Sequence, residues 1–369
     1  MKIVRVITRL NIGGPSKQIF FLNAKLPKNI YNQVLVFGTV EKTELEIDLK
    51  PFKNNIKIES LSRSINIIQD VRSIVKLAKI FRKYKPHVIH THLSKAWAIA
   101  IIAKRLSHSN ASVVHTFHGH ILFSYFSGIR NIISIKIQKY LARRSDKLIA
   151  VGEQIKHDLL NYKIGTESKF CVIQPGLPVP KIVKGAEVMK NSDTPMRLLF
   201  VGRLEAVKQP LILIDVCKIL SKRKISYQLE VVGSGTLKAQ MQAIAEFEKL
   251  NINFHGWQRN PNRFFAKSDV MVICSANEGT PISILEAASH QIPTVAFRVG
   301  SIPDLIQNNS NGYLVNNNAA SLAEKIIYLS KNRKKLEALG IKAKETFIMN
   351  NSLERFIEEH EKVYQELIR

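Results

Sequence analysis

The sequence predicts an α/β protein with two doubly wound parallel sheets. Strand-like apolar runs alternate with helix-like patterns, and this series stops once, at a proline-bearing stretch without a period, and then starts again. The 369 residues are too many for one ordinary domain, and 45% hydrophobic residues can fill two cores. Repeated strand–helix units indicate parallel sheets, so we predict two Rossmann-like domains facing a central cleft.

The first series of strands occupies residues 1–178. Its strands are predicted by buried apolar runs at 2–8, 32–38, 87–92, 112–118, 147–152 and 170–176. Helices are predicted from Pro15, near 66–84 with an end before Pro86, and near 94–106.

The second series follows a predicted linker over 179–196. The stretch 177–196 carries three prolines and shows no convincing period. Further strands are predicted at 197–202, 227–233, 251–256, 270–275 and 293–297. We therefore predict a second domain over 197–348, followed by a charged helix over 349–369. In open parallel sheets ligands bind beyond the carboxyl ends of the strands, so the residues that follow each strand are the candidates for ligand binding.

The charge of the chain is strongly positive and uneven. The formal net charge is +26, of which residues 1–180 contribute +19 and residues 181–369 contribute +7. The first half is therefore expected to meet an anionic partner: a lipid surface, a phosphate-bearing acceptor or a nucleic acid. Three widely spaced cysteines suggest no disulfide framework or zinc site, which fits a reducing compartment. The chain starts directly with a strand pattern and has no apolar run of 18 residues, so neither a signal peptide nor a membrane span is expected.

Two adjacent glycines, Gly13 and Gly14, follow the first predicted strand and precede the helix at Pro15. Glycines at this place let backbone N–H groups approach an anion at a helix N-terminus, although a tight turn alone would also explain them. The spacing differs from the G-x-G-x-x-G of dinucleotide sites, so such a cofactor is not favoured.

Histidines concentrate around two strands of the first half: His87, His90, His92, His115, His118 and His120. His118 falls at the end of the run 112–118, where an imidazole can donate a hydrogen bond to a ligand hydroxyl or carbonyl. A metal site is the alternative interpretation. The histidines lack the i, i+4 pair of an H-E-x-x-H helix, so we expect no bound metal.

Two cations, Arg203 and Lys208, bracket the turn after the strand 197–202. Cations at the end of a parallel strand suit a diphosphate, whose charge they would offset while a bond to it breaks. The alternative is that both are solvated surface cations in a lysine-rich chain.

Glu278 and Glu286 are separated by seven residues, a spacing that the chain contains three times. The other two pairs, Glu337/Glu345 and Glu358/Glu366, lie in charged helix patterns and are predicted to face solvent. Only the first pair follows a strand, with Gly279, Thr280 and Pro281 opening a helix whose N–H groups would face phosphate oxygens. Glu286 would lie on that helix and accept hydrogen bonds from paired hydroxyls such as those of a ribose.

The segment 121–144 combines aromatic residues with an amphipathic helix pattern. Apolar side chains recur at helical spacing and five cations are interleaved with them. Residues 63–147 hold 16 basic and 2 acidic residues. This pattern favours an anionic lipid surface, and the alternative is a core-facing stripe with a solvated basic face.

Taken together, eight motifs in order resemble glycosyltransferase family 4, whose members are retaining enzymes of the GT-B fold. The motifs are N-I-G-G-P (11–15), H-T-H-L-S-K-A (90–96), V-H-T-F-H-G-H (114–120), I-Q-P-G (173–176), V-G-R-L-E-A-V-K (201–208), V-V-G-S-G (231–235), F-H-G-W (254–257) and N-E-G-T-P-I-S-I-L-E-A (277–287). After Gly14 this chain has Pro15-Ser16-Lys17 where many relatives have Ala-Glu-Arg, a departure that bears on acceptor binding.

The resemblance implies a role for each site residue. His118 would contact the transferred sugar, Arg203 and Lys208 the diphosphate, and Glu278 the sugar hydroxyls near the reacting carbon. The donor would also be held by Gly13, Gly14, Gly233, Gly235, Trp257, Gly279, Thr280, Pro281 and Glu286, with Trp257 near the base. The first domain would bind the acceptor, the second the nucleotide sugar, and the tail helix would return to the first domain.

The implied activity is transfer of a hexose or N-acetylhexosamine from a UDP-sugar to a lipid-linked saccharide, with retention, in cell-surface polysaccharide or lipopolysaccharide synthesis. Front-face attack is expected, although a covalent route through Glu278 stays open. No Asp-x-Asp occurs, so no metal cofactor is expected. We expect a cytoplasmic protein, peripheral on the inner face of the membrane. The alternatives are a non-hydrolysing sugar-nucleotide epimerase, which lacks the G-T-P-I-S-I-L-E arrangement, and a nucleic-acid-binding protein, which no sequence motif supports.

Overall fold

The computed structural model describes residues 1–41, 44–47, 52, 54–119, 129–180 and 194–368. It divides into two compact units, the first formed by Met1–Gly176 with Leu353–Arg369 and the second by Leu177–Ser352. The strands of unit 1 are β1 (Lys2–Ile7), β2 (Asn32–Phe37), β3 (Asn55–Lys57), β4 (Val88–His92), β5 (Ser112–Phe117), β6 (Lys147–Ala150) and β7 (Phe170–Val172). Its helices are α1 (Gly14–Lys25), α2 (Ile67–Tyr84), α3 (Ser94–Leu106), α4 (Ile129–Arg143), α5 (Glu153–Asn161) and α12 (Leu353–Glu366).

The described strands of unit 1 form a parallel sheet in the order β3-β2-β1-β4-β5-β6-β7. Alternate residues of its central strands face opposite layers, as strand geometry requires. Val4 and Val6 belong to a core cluster with α2 and α3, whereas Ile7 packs with α1. Helix α12 contacts α1 and therefore covers the same face as α1. The carboxyl ends of β1, β4 and β5 consequently lie side by side at one edge.

Unit 2 repeats this plan with a second parallel sheet in the order β10-β9-β8-β11-β12-β13. Its strands are β8 (Met196–Val201), β9 (Tyr227–Val232), β10 (Ile252–Gly256), β11 (Val270–Ile273), β12 (Thr294–Phe297) and β13 (Gly312–Val315). Its helices are α6 (Leu211–Lys222), α7 (Lys238–Phe247), α8 (Asn262–Lys267), α9 (Ile282–Ser289), α10 (Ala319–Lys331) and α11 (Arg333–Asn351). One large apolar cluster joins β8 and β9 to α6 and α10.

The two-sheet prediction is confirmed, and every predicted strand is present. Two short strands, β3 and β13, were not predicted, because β3 has a single apolar residue between two polar ones and β13 opens on Gly312, which reads as part of the preceding turn. The helix predicted over 349–369 begins at Leu353 instead, since residues 349–351 complete α11 and Ser352 has an extended backbone. Strand β8 takes in residue 196, which was assigned to the linker, and residues 181–193 of that linker lie outside the described residues. No helix in the described ranges is long and apolar enough to cross a bilayer.

Candidate functional site

At the carboxyl edge of unit 2, the loops after β8, β9 and β10 are joined backbone to backbone. The Gly233 N–H donates to the Gly256 carbonyl at 2.8 Å. Gly233 has a φ of 139°, and a Cβ built on it would lie 1.9 Å from the Gly202 oxygen. Only glycine fits such an approach. The sequence predicted that Gly233 binds the nucleotide, but the close approach of Gly202 by itself explains why this residue is glycine.

The loop that carries Arg203 and Lys208 is fixed in the same way. The Leu204 N–H donates to the Ser234 carbonyl at 3.0 Å, and a Cβ on Gly235 would lie 2.4 Å from the Leu204 oxygen. The Glu205 carboxylate accepts hydrogen bonds from the N–H and the hydroxyl of Thr236, at 3.1 and 2.8 Å. A loop held at several points gives the two cations a defined position.

The best-defined contact of this edge joins Lys208 to Glu278. The Lys208 ammonium lies 2.5 Å from Glu278 Oε1, and the Ser275 hydroxyl donates to the same oxygen at 2.6 Å. Glu278 is only 9% exposed, so water screens this ion pair weakly. Arg203 lies on the same loop but is exposed. The structure thus brings Lys208, and not Arg203, to Glu278, and it adds Ser275, a neighbour that sequence reasoning missed.

The backbone around Glu278 is held from β12. The Ser301 N–H donates to the Glu278 carbonyl at 3.3 Å. Gly300 has a φ of 51°, and a Cβ on it would lie 1.9 Å from that same carbonyl oxygen. Gly300 was missed as well, although a glycine soon after a predicted strand could have indicated a close backbone approach.

Helix α9 begins at Ile282, directly after Gly279, Thr280 and Pro281, so its first N–H groups face the carboxyl edge. Glu286 lies on this helix and is partly buried. Trp257 follows β10 and is 37% exposed. Because β9 and β8 separate β10 from β11, Trp257 and the Glu278 loop stand roughly 14 Å apart along the edge.

At the carboxyl edge of unit 1, Gly14 begins α1 and Gly13 precedes it in extended backbone, with a φ of 177°. Any residue can adopt that conformation, and a Cβ on Gly13 would have room, since it would lie 3.9 Å from Asn11 Oδ1. Neither a tight turn nor packing therefore requires glycine at position 13.

His118 follows β5 and pairs with the last residue of β4. Its Nε2 lies 2.9 Å from Nδ1 of His92, and the two ring centroids are 5.1 Å apart. Burial lowers the pKa of His118 to about 4. Burial also lowers the pKa of His92 well below its usual value, with smaller contributions from His90, His118 and Arg5. Both rings are therefore neutral at physiological pH.

Several buried polar atoms at this edge have no hydrogen-bond partner among the described residues: Thr8 Oγ1, Ser16 Oγ, His92 Nε2 and Ser94 Oγ. They lie just after β1, in α1, at the end of β4 and at the start of α3. Buried polar groups are normally paired, so such a grouping is typical of a surface that binds a polar ligand.

The remaining histidines of this region separate by sheet face. His115 points to the layer of α3, where its ring stacks on Trp97 at 3.9 Å and its Nδ1 lies 2.9 Å from the Thr91 hydroxyl. It therefore has a packing role. His120 lies outside the described residues. Within the described ranges, no three His, Cys, Asp or Glu side chains are arranged to hold a metal ion.

Comparison with protein families decides between the possible activities of these two edges. The model described as Glycosyltransferase Family 4 matches residues 18–179, and the model described as Glycosyl transferases group 1 matches residues 186–346. Together they span most of both units. The chain belongs to the family 4 glycosyltransferases. It is therefore an enzyme that transfers a glycosyl group, which favours transfer over the epimerase and nucleic-acid interpretations.

This glycosyltransferase is similar to curated and solved proteins along most of its length. It is 26% identical, over 70% of each chain, to an Escherichia coli UDP-Gal:alpha-D-GlcNAc-diphosphoundecaprenol alpha-1,3-galactosyltransferase. It is 24% identical to a Staphylococcus aureus poly(ribitol-phosphate) alpha-N-acetylglucosaminyltransferase, over 87% of this chain and 61% of that one. The structure of Anabaena Alr3699/HepE in complex with UDP and glucose superposes with a TM-score of 0.81 at 17% identity, covering 99% and 100% of the two chains. That likeness shows the shared GT-B fold.

Proposed function

We propose that the enzyme transfers a hexose or N-acetylhexosamine from a UDP-sugar to a lipid-linked saccharide, with retention, in cell-surface polysaccharide or lipopolysaccharide synthesis. The proposed binding of the UDP-sugar donor is supported above all by the buried contact of Lys208 and Ser275 with Glu278 at the carboxyl edge of unit 2. The names of the two curated relatives, one a UDP-Gal transferase with a diphosphoundecaprenol-linked substrate, support the donor and acceptor classes.

Lys208 is proposed to bind the donor diphosphate together with Arg203. An ammonium carries three donors, so the hydrogen bond to Glu278 leaves others for phosphate oxygens. Negative charge builds up on the diphosphate as the sugar leaves, and a fixed cation stabilises it most at that moment. The exposed Arg203 guanidinium can reorient towards the same group, with the first N–H groups of α9 as further donors.

Glu278 is proposed to contact sugar hydroxyls beside the reacting carbon. Its Oε1 already accepts two hydrogen bonds, and a carboxylate has further lone pairs for hydroxyl donors. We favour front-face attack assisted by the leaving phosphate, with Glu278 orienting the sugar. The base would lie near Trp257 and the ribose on Glu286, so that the nucleotide sugar runs along the edge from β10 to β11. No metal is required in this proposal.

In unit 1, Gly13, Gly14 and His118 are proposed to contact the donor from the carboxyl edge of its sheet. Gly13 is free of any conformational need for glycine, which favours the ligand-approach interpretation over a tight turn. His118 would donate a hydrogen bond to the transferred sugar. The buried hydroxyl groups of Thr8, Ser16 and Ser94, which have no partner among the described residues, are suited to a substrate rich in hydroxyl groups.

The proposal of a lipid-linked acceptor is based on the outer face of α2, α3 and α4. These helices pack next to one another on one side of the sheet. On α4, four apolar side chains are about half exposed, and they do not form a core-facing stripe: Ile132, Ile133, Ile137 and Tyr140. On α2 a second exposed stripe consists of Ile67, Ile68, Val71 and Val75. Exposed cations adjoin both stripes: Arg72, Lys76, Lys79, Lys136, Arg143 and Arg144. This combination supports binding to an anionic lipid surface, where a lipid-linked acceptor is presented. Residues 121–128, which supply the aromatic cluster of this segment, lie outside the described ranges.

Membrane binding is tested by flotation with vesicles of phosphatidylglycerol and phosphatidylcholine. The variant Ile133→Ser/Ile137→Ser should lower the vesicle partition coefficient at least about tenfold. Each isoleucine is half exposed, so lipid would bury about half of a side chain whose full burial contributes roughly 1.5–3 kcal/mol, and the pair together would lose about 1.5–3 kcal/mol. The matched control is Ile341→Ser/Ile348→Ser, which changes two similarly exposed isoleucines on α11. Equal loss of binding in both variants, or no loss in either, would refute the lipid surface on α4.

The donor is tested with a panel of UDP-, GDP- and dTDP-sugars, with and without lipid-linked acceptor in anionic vesicles. We expect one UDP-sugar to be consumed, UDP to be released, and the new linkage to keep the donor's anomeric configuration. Lys208→Gln should weaken UDP binding roughly tenfold to a hundredfold, as loss of a charge-assisted hydrogen bond does. Lys218→Gln, which alters a solvent-exposed ion pair on α6, is the control. Conversion of the donor to an epimer without acceptor would instead establish an epimerase.

A further inference from the structure

A column of buried polar side chains crosses the face of the unit 1 sheet that α12 covers. Arg5 on β1 is fully buried, and no salt bridge reaches it from the described residues. Its guanidinium donates to Gln33 Oε1 and, at 3.2 Å, to the Tyr364 hydroxyl of α12. His90 on β4 lies beside it, with its Nδ1 2.7 Å from the Tyr364 hydroxyl and its Nε2 2.8 Å from the Thr116 hydroxyl.

The direction of the hydrogen bonds in this column follows from what each group can do. Arginine only donates, so the Tyr364 oxygen accepts from Arg5. The phenol proton then has an acceptor among the described residues only if it is given to His90 Nδ1. His90 must consequently carry its own proton on Nε2 and donate it to Thr116. The tautomer of His90 is thus set by Tyr364, a residue of the far end of the chain.

His92 lies two residues further along β4 on the same face, with its ring centroid 4.2 Å from that of His90, and its protonated nitrogen is likewise set by its neighbours. Because His92 and His118 are both neutral, one proton lies between His92 Nδ1 and His118 Nε2. His92 Nε2 is buried and has no partner in the described part of the chain. A proton there would be a buried donor without an acceptor, and orphaned donors are rarer than orphaned acceptors.

The His92 proton is therefore expected on Nδ1, where it is donated to His118 Nε2. His118 must then carry its proton on Nδ1, the nitrogen that does not face His92. We propose that His92 is a positioning residue for sugar transfer, because it fixes His118 as the tautomer that offers its substrate an N–H donor and not a basic nitrogen. This proposal rests on the proposed contact of His118 with the transferred sugar. His92 does not itself need to touch substrate, and it is only 1% exposed.

The tautomer is read directly from the full-length protein labelled with ¹⁵N-histidine. Long-range ¹H–¹⁵N spectra distinguish a protonated from a bare ring nitrogen, and the signals of His118 are assigned as those missing from His118→Gln. We expect His118 to be protonated on Nδ1 and bare on Nε2. Protonation on Nε2 instead would overturn the proposal. This measurement needs no turnover, so it stays decisive even if the proposed donor and acceptor are wrong.

Variants of His92 test the consequence for transfer. His92→Phe removes the donor to His118, so kcat should fall about a hundredfold with little change in the KM for donor, the pattern for loss of one interaction specific to the transition state. In His92→Asn the side-chain amide can replace Nδ1–H, and both the tautomer of His118 and most of kcat should be retained. His157→Phe, at an exposed histidine of α5, is the control and should keep the wild-type rate.

The outcomes separate the possible failures. Wild-type kcat in a folded His92→Phe would refute the positioning role, whereas a wild type inert with every donor and acceptor would refute the proposed function and leave the tautomer to be judged by its spectrum. Thermal unfolding is measured for each variant. If His92→Phe does not fold, the wild-type and His92→Asn spectra decide.

Discussion

The phenol of Tyr364 holds the C-terminal helix to the sheet of unit 1, and its removal is predicted to be costly. In Tyr364→Phe the ring remains and leaves no cavity, but the buried Arg5 guanidinium loses an acceptor at 3.2 Å and His90 loses a partner at 2.7 Å. Hydrogen bonds to charged groups contribute about 1.5–3 kcal/mol, and an unpaired buried group costs about 1–3 kcal/mol. Because these terms overlap, we expect unit 1 to lose about 2–4 kcal/mol of its free energy of unfolding.

The assay exploits the two tryptophans of the chain, one in each unit. In a Trp257→Phe background, Trp97 is the sole tryptophan, and it is buried in unit 1. Equilibrium urea unfolding followed by its fluorescence then reports on unit 1, and an unchanged m-value validates the comparison. The control is Tyr140→Phe, at a half-exposed tyrosine, which should change stability by less than about 0.5 kcal/mol. A similarly small change for Tyr364→Phe would refute the hydrogen-bonded column.

Two further predictions follow from the same geometry. Burial lowers the folded-state pKa of His118 to about 4 and that of His360, a buried residue of α12, to about 3. An unfolded histidine titrates near 6.5, so the unfolded state binds more protons below pH 6.5. The free energy of unfolding of unit 1 should therefore be greatest above about pH 6.5 and fall by roughly 1.4 kcal/mol per pH unit for each such histidine down to about pH 4. Equal urea midpoints at pH 7 and pH 5 would contradict this. Gly233→Ala should destabilise unit 2 by at least about 2 kcal/mol, because its Cβ would clash with the Gly202 carbonyl. Gly13→Ala should leave the melting temperature unchanged and weaken donor binding. Thermal unfolding and donor titration of both variants check this, and the reverse pattern would show that the roles of the two glycines are exchanged.

The positions of the strands along the chain could be predicted from the sequence because most strands are short, mainly apolar runs followed by turn residues. Their order within each sheet was not predicted. The same logic located Glu278 correctly at a strand end, and the structure confirms that Glu337, Glu345, Glu358 and Glu366 face solvent. What local patterns could not give is the partner of each side chain. Ser275, which shares the Glu278 oxygen with Lys208, has no pattern that distinguishes it from other serines.

In the histidine region and on α4, local sequence patterns predict the element but not what surrounds it. Alternation along β4 predicts that His90 and His92 share a face, but it does not say that Tyr364, more than 270 residues away in sequence, completes that face. On α4, helical spacing is the same for a core-facing and a solvent-facing stripe. Only the folded chain shows that Ile133 and Ile137 lie on the exposed side.

UDP release from the preferred UDP-sugar, measured for Glu278→Gln beside Glu345→Gln, tests whether sugar transfer takes place at the contact of Glu278 with Lys208. Both variants neutralise one carboxylate of a Glu-x7-Glu pair, but Glu278 lies against Lys208 at the carboxyl edge of unit 2 and Glu345 pairs with Lys342 on the surface of α11. We expect at least a hundredfold loss of kcat/KM for Glu278→Gln and wild-type turnover for Glu345→Gln. Turnover by Glu278→Gln at the wild-type rate would show that the chemistry takes place elsewhere.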